Sequence, residues 1–323
     1  MGSIFSITII QSALELGFIY SLVALALFIS FSILNIADLS TDGCFTLGCA
    51  VCATVTLAGH PILGLFAAMG AGICSGFITA FLQTKMGIES ILAGIIVNTG
   101  LYTINIAVMG FASNINLFSC DSVFGYAKKL IGGTWYKLIV VAIVVVVIGI
   151  LLAFFLNTRL GLSVRATGDN PDMVRASSIN TSFMITIGLC VANALTGLSG
   201  GLLAQYQKSC DINLGTGMVT IALASLIIGE TILGKGGMVR RVIGVVVGSC
   251  LYRFMVAVAL SLSIPAECLK LVSALIVAVA IALPYLKKQA GFYKQKRLAK
   301  EQNHVYYEEI VAKQNEEGGN TSC

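Results

Sequence analysis

Charge is what this sequence of 323 residues has least of. Asp, Glu, Lys and Arg together make up 11 %, against about 25 % in an ordinary soluble domain. A soluble chain this poor in charge could not cover its own surface. Hydrophobic residues supply 57 %, and the mean hydropathy is +0.92. Such numbers exclude disorder, collagen and a coiled coil. The net charge of +5 is spread along the chain, which leaves no basic patch for nucleic acid. Proline is scarce, at four residues, and there are only two histidines, His60 and His304, and one tryptophan. With so little histidine, no Cys–His cluster has metal spacing, so no metal site is expected. A secretory leader is not expected either: residues 1–36 lack a basic start and a small-residue cleavage site, and the first Lys or Arg is Lys85. Met1, Gly2 and Ser6 fit the myristoylation pattern, an anchor that a membrane-spanning chain does not need.

Apolar runs are abundant. A spanning helix needs about 20 mainly apolar residues, and nine runs qualify: 4–34, 43–59, 61–83, 88–110, 136–156, 181–204, 217–234, 242–262 and 267–286. The expected fold is an all-α polytopic membrane helical bundle of about nine transmembrane helices. The first run is longer than one span needs, so it must tilt, break or continue past the membrane. The second is short and follows a polar patch, a pattern that often marks transport pathways. Polar breaks at 36–43 and 207–216 hint at a structural repeat. With the N-terminus outside and the C-terminus inside, fourteen Lys and Arg fall in internal segments and five in external ones. The positive-inside rule supports this orientation.

Of the ten cysteines, Cys44, Cys49, Cys52, Cys74, Cys190, Cys250 and Cys268 lie in or beside apolar runs and read as small packing residues. Cys120 and Cys210 fall in expected external loops and could pair or be free thiols. Gly72–Gly76, Gly197–Gly201 and Gly244–Gly248 are small-xxx-small pairs that let helices approach closely, within the chain or between two copies.

A charge at the bilayer centre costs at least about 2.5 kcal/mol and needs a reason. Glu15 and Arg253 lie at matching depths from opposite ends of their spans. They are expected to form an ion pair or to line the pathway. Asp38 and Asp42 are four residues apart and share a face if that stretch is helical. They could bind a cation, gate a pore, or cap the helix starting near Gly43. Asn98, Tyr102 and Asn105 form one polar stripe, and Asn193, Thr196 and Ser199 another. Such stripes bond neighbouring helices or line a cavity. Glu230, near the end of its span, is expected to reach water.

Two motifs fail on inspection. Gly229 to Lys235 reads like a phosphate-binding loop, but Gly236 stands where Ser or Thr is needed and no strand precedes it. ATP binding is therefore not expected on this chain. Gly197-Leu198-Ser199-Gly200 resembles an intramembrane serine protease signature. A serine nucleophile needs a base, and His60 beside Pro61 is the only candidate near the membrane.

Residues 157–180, NTRLGLSVRATGDNPDMVRASSIN, form the most polar stretch between spans. Pro171 suits the first position of a short helix, Asp172 suits its first turn, and three arginines make the surface basic. Such a helix on the inner surface could dock a cytosolic partner. The run from Thr158 to Arg175 resembles the coupling segment of bacterial ABC importer permeases of the branched-chain amino acid and ribose family. Residues 34–43, the run Ala204-Gln205-Tyr206-Gln207, Asp211-Ile212-Asn213 and Gly229-Glu230 extend the resemblance over roughly residues 8–285. It looks closest to a subgroup associated with tryptophan or other aromatic amino acids. Val174 departs from the family's usual Ala.

The resemblance implies a bacterial inner-membrane permease that is not itself an enzyme. A second permease chain, most simply an identical one, would complete the solute pathway, a cytosolic ATPase would carry the ATP and Mg, and an external binding protein would deliver a small-molecule solute. Arg159, Gly161, Arg165, Ala166, Gly168, Asn170 and Arg175 would lie on the ATPase contact. Asp38, Asp42, Asn98, Tyr102, Asn105 and Asn193 are the candidate pathway residues. Residues 1–286 would form the permease domain, with 157–180 as its coupling segment, and 287–323 a charged cytosolic tail, either a membrane-surface helix or disordered. The competing reading is a stand-alone ion-coupled secondary transporter.

Overall fold

The structure, a computed structural model, describes residues 7–234 and 236–261, with scattered positions from 271 to 300. The expected ninth run, 267–286, and the tail, 287–323, lie mostly outside the described residues. The chain divides into two compact units, residues 1–277 and 278–323. In the second unit the rings of Phe292 and Tyr293 meet edge-on, 6.4 Å apart.

The first unit is helical almost throughout. Among the described residues six helices are long and apolar enough to cross a membrane, and two shorter apolar ones accompany them. Helix α1 (Ile7–Leu27) runs straight into a π-helical stretch, Phe28–Ile33. This is how the overlong first run is accommodated: its α-helical ladder breaks where the Ser30 hydroxyl donates back to the Ala26 carbonyl at 3.3 Å, an insertion that loosens helices. After an irregular stretch come α2 (Thr41–Leu57), α3 (Pro61–Thr84) and α4 (Ser90–Val108). A short strand β1 (Asn114–Asn116) and helix α5 (Val123–Ile131) lead to α6 (Tyr136–Asn157). Two further short helices, α7 (Arg159–Asp169) and α8 (Pro171–Ala176), precede the long α9 (Thr181–Gln207). Strand β2 (Ser209–Asp211), α10 (Met218–Leu233) and α11 (Met238–Ser261) complete the unit.

The composition of each helix decides its place. Helix α9 carries Gly188, Gly197, Gly200 and Gly201, and it is buried on nearly every side. It packs against α2, α3 and α1. Helix α6, built from Val, Ile, Leu and Phe with hardly a small residue, buries few positions. That pattern suits a helix turned toward lipid. A Cβ placed on Gly72 would overlap the Asn193 carbonyl oxygen, and one on Gly197 the Ala68 carbonyl oxygen. One on Gly248 would overlap the Ser225 carbonyl oxygen. All three small-residue pairs thus serve contacts within the chain: α3 with α9, and α10 with α11.

Strands β1 and β2 pair antiparallel, Asn114 opposite Asp211 and Asn116 opposite Ser209. They mark one end of the bundle, and α7 and α8 the other. Helix α9 joins these ends and is about 40 Å long at about 1.5 Å per residue.

Close packing at Gly72 generates a prediction. Gly72→Val should push α3 off α9 and cost about 1–3 kcal/mol. Gly70 is exposed with nothing within 4 Å of a built Cβ, so Gly70→Val should stay within about 0.5 kcal/mol of the parent. Thermal unfolding of the detergent-solubilised variants compares the two, and equal losses would contradict the packing argument.

Candidate functional site

Asn193 is the thirteenth residue of α9, about 18 Å from its start at about 1.5 Å per residue, so it sits near mid-depth. Two non-helical segments, one irregular and one a run of turns, reach this level from opposite ends. Residues 34–40 climb from the end of the π-helical stretch, beside α7. Residues 212–217 descend from the β1–β2 end. Each then feeds a short helix. Helix α2 rises from mid-depth to the strand end, and α10 falls from mid-depth to the α7–α8 end. The two polar breaks expected as a repeat are these opposed segments, and the helix starts they create meet in the centre of the bundle.

Two carboxylates hold that meeting point. Asp38 is 2 % exposed. Its Oδ1 accepts from the Ser40 amide at 2.9 Å and the Ser40 hydroxyl at 2.6 Å. Its Oδ2 accepts from Asn193 Nδ2 at 2.8 Å. Thr79 of α3 donates to the Ser40 hydroxyl at 3.2 Å. The charge is therefore surrounded by donors from the loop and α9, the arrangement a buried anion needs. Asp42 reaches across to another helix. Its Oδ2 accepts from the Gly217 amide at 3.0 Å and its Oδ1 from the Val219 amide at 2.9 Å. The expected capping role is real, but the helix it caps is α10, not its own α2. The unsatisfied amides and positive dipole end of α10 favour a carboxylate there. Thr46 accepts from the Gly215 amide at 3.1 Å and fastens the same junction.

The stripe on α4 divides. Asn105 is buried and donates from Nδ2 to the Gly43 carbonyl at 3.1 Å. Asn98 is half-buried, and its Oδ1 would meet a Cβ on Gly43 at 2.6 Å. Both therefore face the start of α2. Tyr102 is turned away and 51 % exposed. On α9, Ser199 donates to the Ile19 carbonyl of α1 at 2.7 Å and acts as a helix-joining hydroxyl, not a nucleophile.

The intramembrane ion pair expected between Glu15 and Arg253 does not form. Glu15 is buried, and its oxygens accept from Gln11 Nε2 and the Tyr206 hydroxyl, both at 2.8 Å. The Arg253 guanidinium lies over the Tyr20 ring, 4.2 Å from its centroid. An aromatic face is an adequate seat for a cation out of water, and a neutral donor pair is adequate for the carboxylate. Glu230 does not reach open water. It pairs with Arg241 at 2.7 Å, both side chains being less than a fifth exposed, and accepts from Ser32 at 2.9 Å. Cys210 is buried next to Cys49 and Cys52 against α2, whereas Cys120 is half-exposed. The two do not pair, and both thiols are free.

The segment expected to dock a partner forms two helices, not one. Thr158 caps α7, its hydroxyl accepting from the Gly161 amide at 3.2 Å. Asn170 caps α8, accepting from the Met173 amide at 3.1 Å. Arg159, Asn170 and Arg175 are exposed, while Arg165, Ala166 and Gly168 are half-buried. Arg175 reaches Asp172 at 3.7 Å and Thr181 at 3.2 Å. Gly161 and Gly168 turn inward. A Cβ on Gly161 would overlap the Phe155 carbonyl of α6, and one on Gly168 the Ile33 carbonyl at the end of the π-helical stretch. Leu34 then packs into Gly188 of α9. The basic segment is thus seated directly on the chain that climbs to Asp38.

Sequence reasoning missed several of these groups. Ser40, Thr79 and Ser32 are small hydroxyls in apolar company, with no spacing to single them out. Gln205 was also missed. It donates to the Pro61 carbonyl at 2.7 Å and accepts from the Val123 amide at 3.0 Å. An amide near the end of a buried apolar helix was the one available signal.

A family model described as the branched-chain amino acid transport system, permease component, matches residues 9–282. A tyrosine transport system permease protein of Clostridioides difficile is 34 % identical over 274 residues, 84 % of this chain and 90 % of that one. An uncharacterized protein of Rickettsia prowazekii is 29 % identical, covering 85 % of this chain and 97 % of its own. A ribose import permease of Escherichia coli is 27 % identical, covering 68 % of this chain and 67 % of its own. No solved structure matches.

The central junction is testable by itself. Asp38→Ala strands the Asn193 amide and the Ser40 hydroxyl, at about 1–3 kcal/mol for each unsatisfied group. A double-mutant cycle with Asn193→Ala, read by thermal unfolding, should give a coupling above about 0.5 kcal/mol. Simple additivity would mean the bond contributes nothing.

Proposed function

The chain belongs to the branched-chain amino acid transport system permease family, and we propose that it forms the solute pathway of an ATP-driven importer of amino acids, aromatic ones foremost. Its family makes it a permease component of an ABC-type transport system and a multi-pass inner-membrane protein, and its named relatives are transport permeases. Permeases of such systems work with ATPase and binding-protein partners. Tyrosine as the solute rests on the similarity to the tyrosine permease, uptake as the direction on the similarity to the ribose import permease, and tryptophan on the resemblance in the sequence alone.

The observation that carries the mechanism is the seating of α7 and α8. Their exposed Arg159, Asn170 and Arg175 offer a basic, hydrogen-bonding surface for a cytosolic ATPase that holds the ATP and Mg. Gly168 lies on the Ile33 carbonyl, so a push on α7 is delivered to residues 34–40. Those residues end in the Asp38–Asn193 bond, and Asp42 links them to α10. Alternating access would then be a rearrangement of the two opposed segments about mid-depth. Asp38, Asp42 and Asn193 frame the pathway in this reading. Tyr102, exposed with Thr99 and Thr103 on α4 and turned away from these three residues, would offer an amphipathic wall on the outer side of that helix. A second copy of the chain would supply the other wall, and an external binding protein would deliver the solute. The full fold would have about nine spans, with α7 and α8 on the cytosolic side, the N-terminus outside and the C-terminus inside.

Arg165→Glu should leave the protein in the membrane yet lower recovery of the ATPase in a mild-detergent pull-down by about tenfold, the equivalent of about 1.4 kcal/mol. Partners identified by mass spectrometry provide the readout. Undiminished co-purification would contradict the assignment of this segment. A parent chain that never brings down an ATPase, even after crosslinking, would favour an ion-coupled transporter.

A further inference from the structure

Helix α5 is left unexplained by the transport reading. It lies at the β1–β2 end of the bundle, between α4 and α6. Ser122 caps it, accepting from the Gly125 amide at 3.2 Å, and Phe124 anchors it edge-on against the Tyr206 ring, 6.0 Å between centroids. With about 100° per residue, Phe124 and Ala127 share the inward face. Tyr126 and Leu130, four residues apart, share the opposite one. Leu130 is 88 % exposed, the highest value recorded for a large apolar side chain among the described residues. Lys128 and Lys129 are exposed beside them; Lys129 lies 5.6 Å from the Tyr126 ring centroid and 3.5 Å from Asp121 Oδ2, a solvent-exposed ion pair that leaves its ammonium open to a further anion.

Two of these features need a reason. A bare Leu130 facing water would gain nothing, and lysines on the side opposite α7 and α8 run against the positive-inside bias. The neighbourhood supplies one. Five residues after Leu130 is Trp135, followed by Tyr136, the aromatic pair expected at a membrane–water boundary. They begin α6, the helix with the fewest buried positions of the long spans. Apolar grooves of about 640 Å³ and about 330 Å³ flank the half of α6 nearer α7, from Val145 to Asn157, and Ile139 and Ile143 carry the exposed apolar face back toward Trp135. The helix is therefore continuous with a lipid-facing surface, and it joins apolar and cationic side chains as interfacial helices do.

We propose that α5 lies in the outer membrane–water interface, with Tyr126 and Leu130 among the upper acyl chains and Lys128 and Lys129 on the phosphates of anionic phospholipids. It rests on the membrane location of the family, not on the identity of the solute. The occupant is a lipid headgroup with its acyl chains attached: free phosphate would leave Leu130 uncovered.

Trp135 is the only tryptophan in the chain, so the parent protein reports on the boundary without substitution. For the helix itself, Trp135→Phe with Leu130→Trp moves the sole indole onto α5. Both proteins are reconstituted in nanodiscs of phosphatidylcholine with or without phosphatidylglycerol, either lipid brominated near the top of the acyl chain. The expected result is blue-shifted emission and quenching by brominated lipid, at least twofold stronger for brominated phosphatidylglycerol. Adding Lys128→Glu and Lys129→Glu should abolish that preference while leaving the blue shift. A Leu130→Trp signal that iodide quenches and brominated lipid does not would overturn the proposal. So would quenching equal for the two lipids, or an indole shielded from iodide only after a solute-binding protein is added, which would make the surface a protein dock. Failure of ATPase co-purification would count against the transport reading and leave this one standing.

Discussion

Lipid offers no hydrogen bonds, so a charge or backbone amide carried into this bundle needs a partner within the chain. That constraint organises the structure. A helix start at mid-depth would leave bare amides in the hydrocarbon, and Asp42 answers those of α10 from the first turn of α2. A non-helical stretch at the same depth would be equally exposed, and Asp38, Ser40, Asn193 and Thr79 tie it to α9 and α3. The cost of breaking two spans is thereby recovered in two carboxylates. The close glycine contacts of α9 then let neighbouring helices approach near enough for such short side chains to reach. Remove the polar junction and the opposed short helices have nothing to hold their starts together.

The same logic explains the charges elsewhere. Glu15 takes two neutral donors, Arg253 an aromatic face, and Glu230 a guanidinium at the end of α11. Each is satisfied locally, by the nearest group of suitable chemistry. Matching depth, which suggested a Glu15–Arg253 pair, is a weaker guide because a bundle offers several neighbours at each level. On the proposed reading, these local clamps also define what can move. The α7 helix rests on the end of the π-helical stretch, and Glu230 and Arg241 hold the same stretch through its Ser32 hydroxyl. A displacement there reaches Asp38 through only a few non-helical residues.

Much of the fold was legible in composition and run length. Eight of the nine expected apolar runs coincide with observed helices within a few residues, because hydrocarbon length imposes a period that no tertiary contact overrides. The short α2 and the overlong α1 were also legible, as was the polar character of 157–180. What escaped was partnership. Nothing along the sequence ties Asp42 to Gly217 and Val219, some 175 positions away, since a cap donated across the bundle has no local spacing. Nor could a sequence tell that Gly161 and Gly168 face inward while Arg159 and Arg175 face out. Both are glycines in a polar loop until α6 beneath Gly161 and the π-helical stretch beneath Gly168 are seen. The family resemblance carried the functional reading further than any single residue did.

The most direct measurement is solute uptake. The chain would be reconstituted in proteoliposomes with its ATPase and solute-binding protein, and accumulation of labelled tyrosine and tryptophan followed. The account predicts accumulation that requires ATP on the ATPase side and the binding protein on the other, and that is indifferent to proton and sodium gradients. Accumulation driven by an ion gradient in vesicles lacking the ATPase would contradict it.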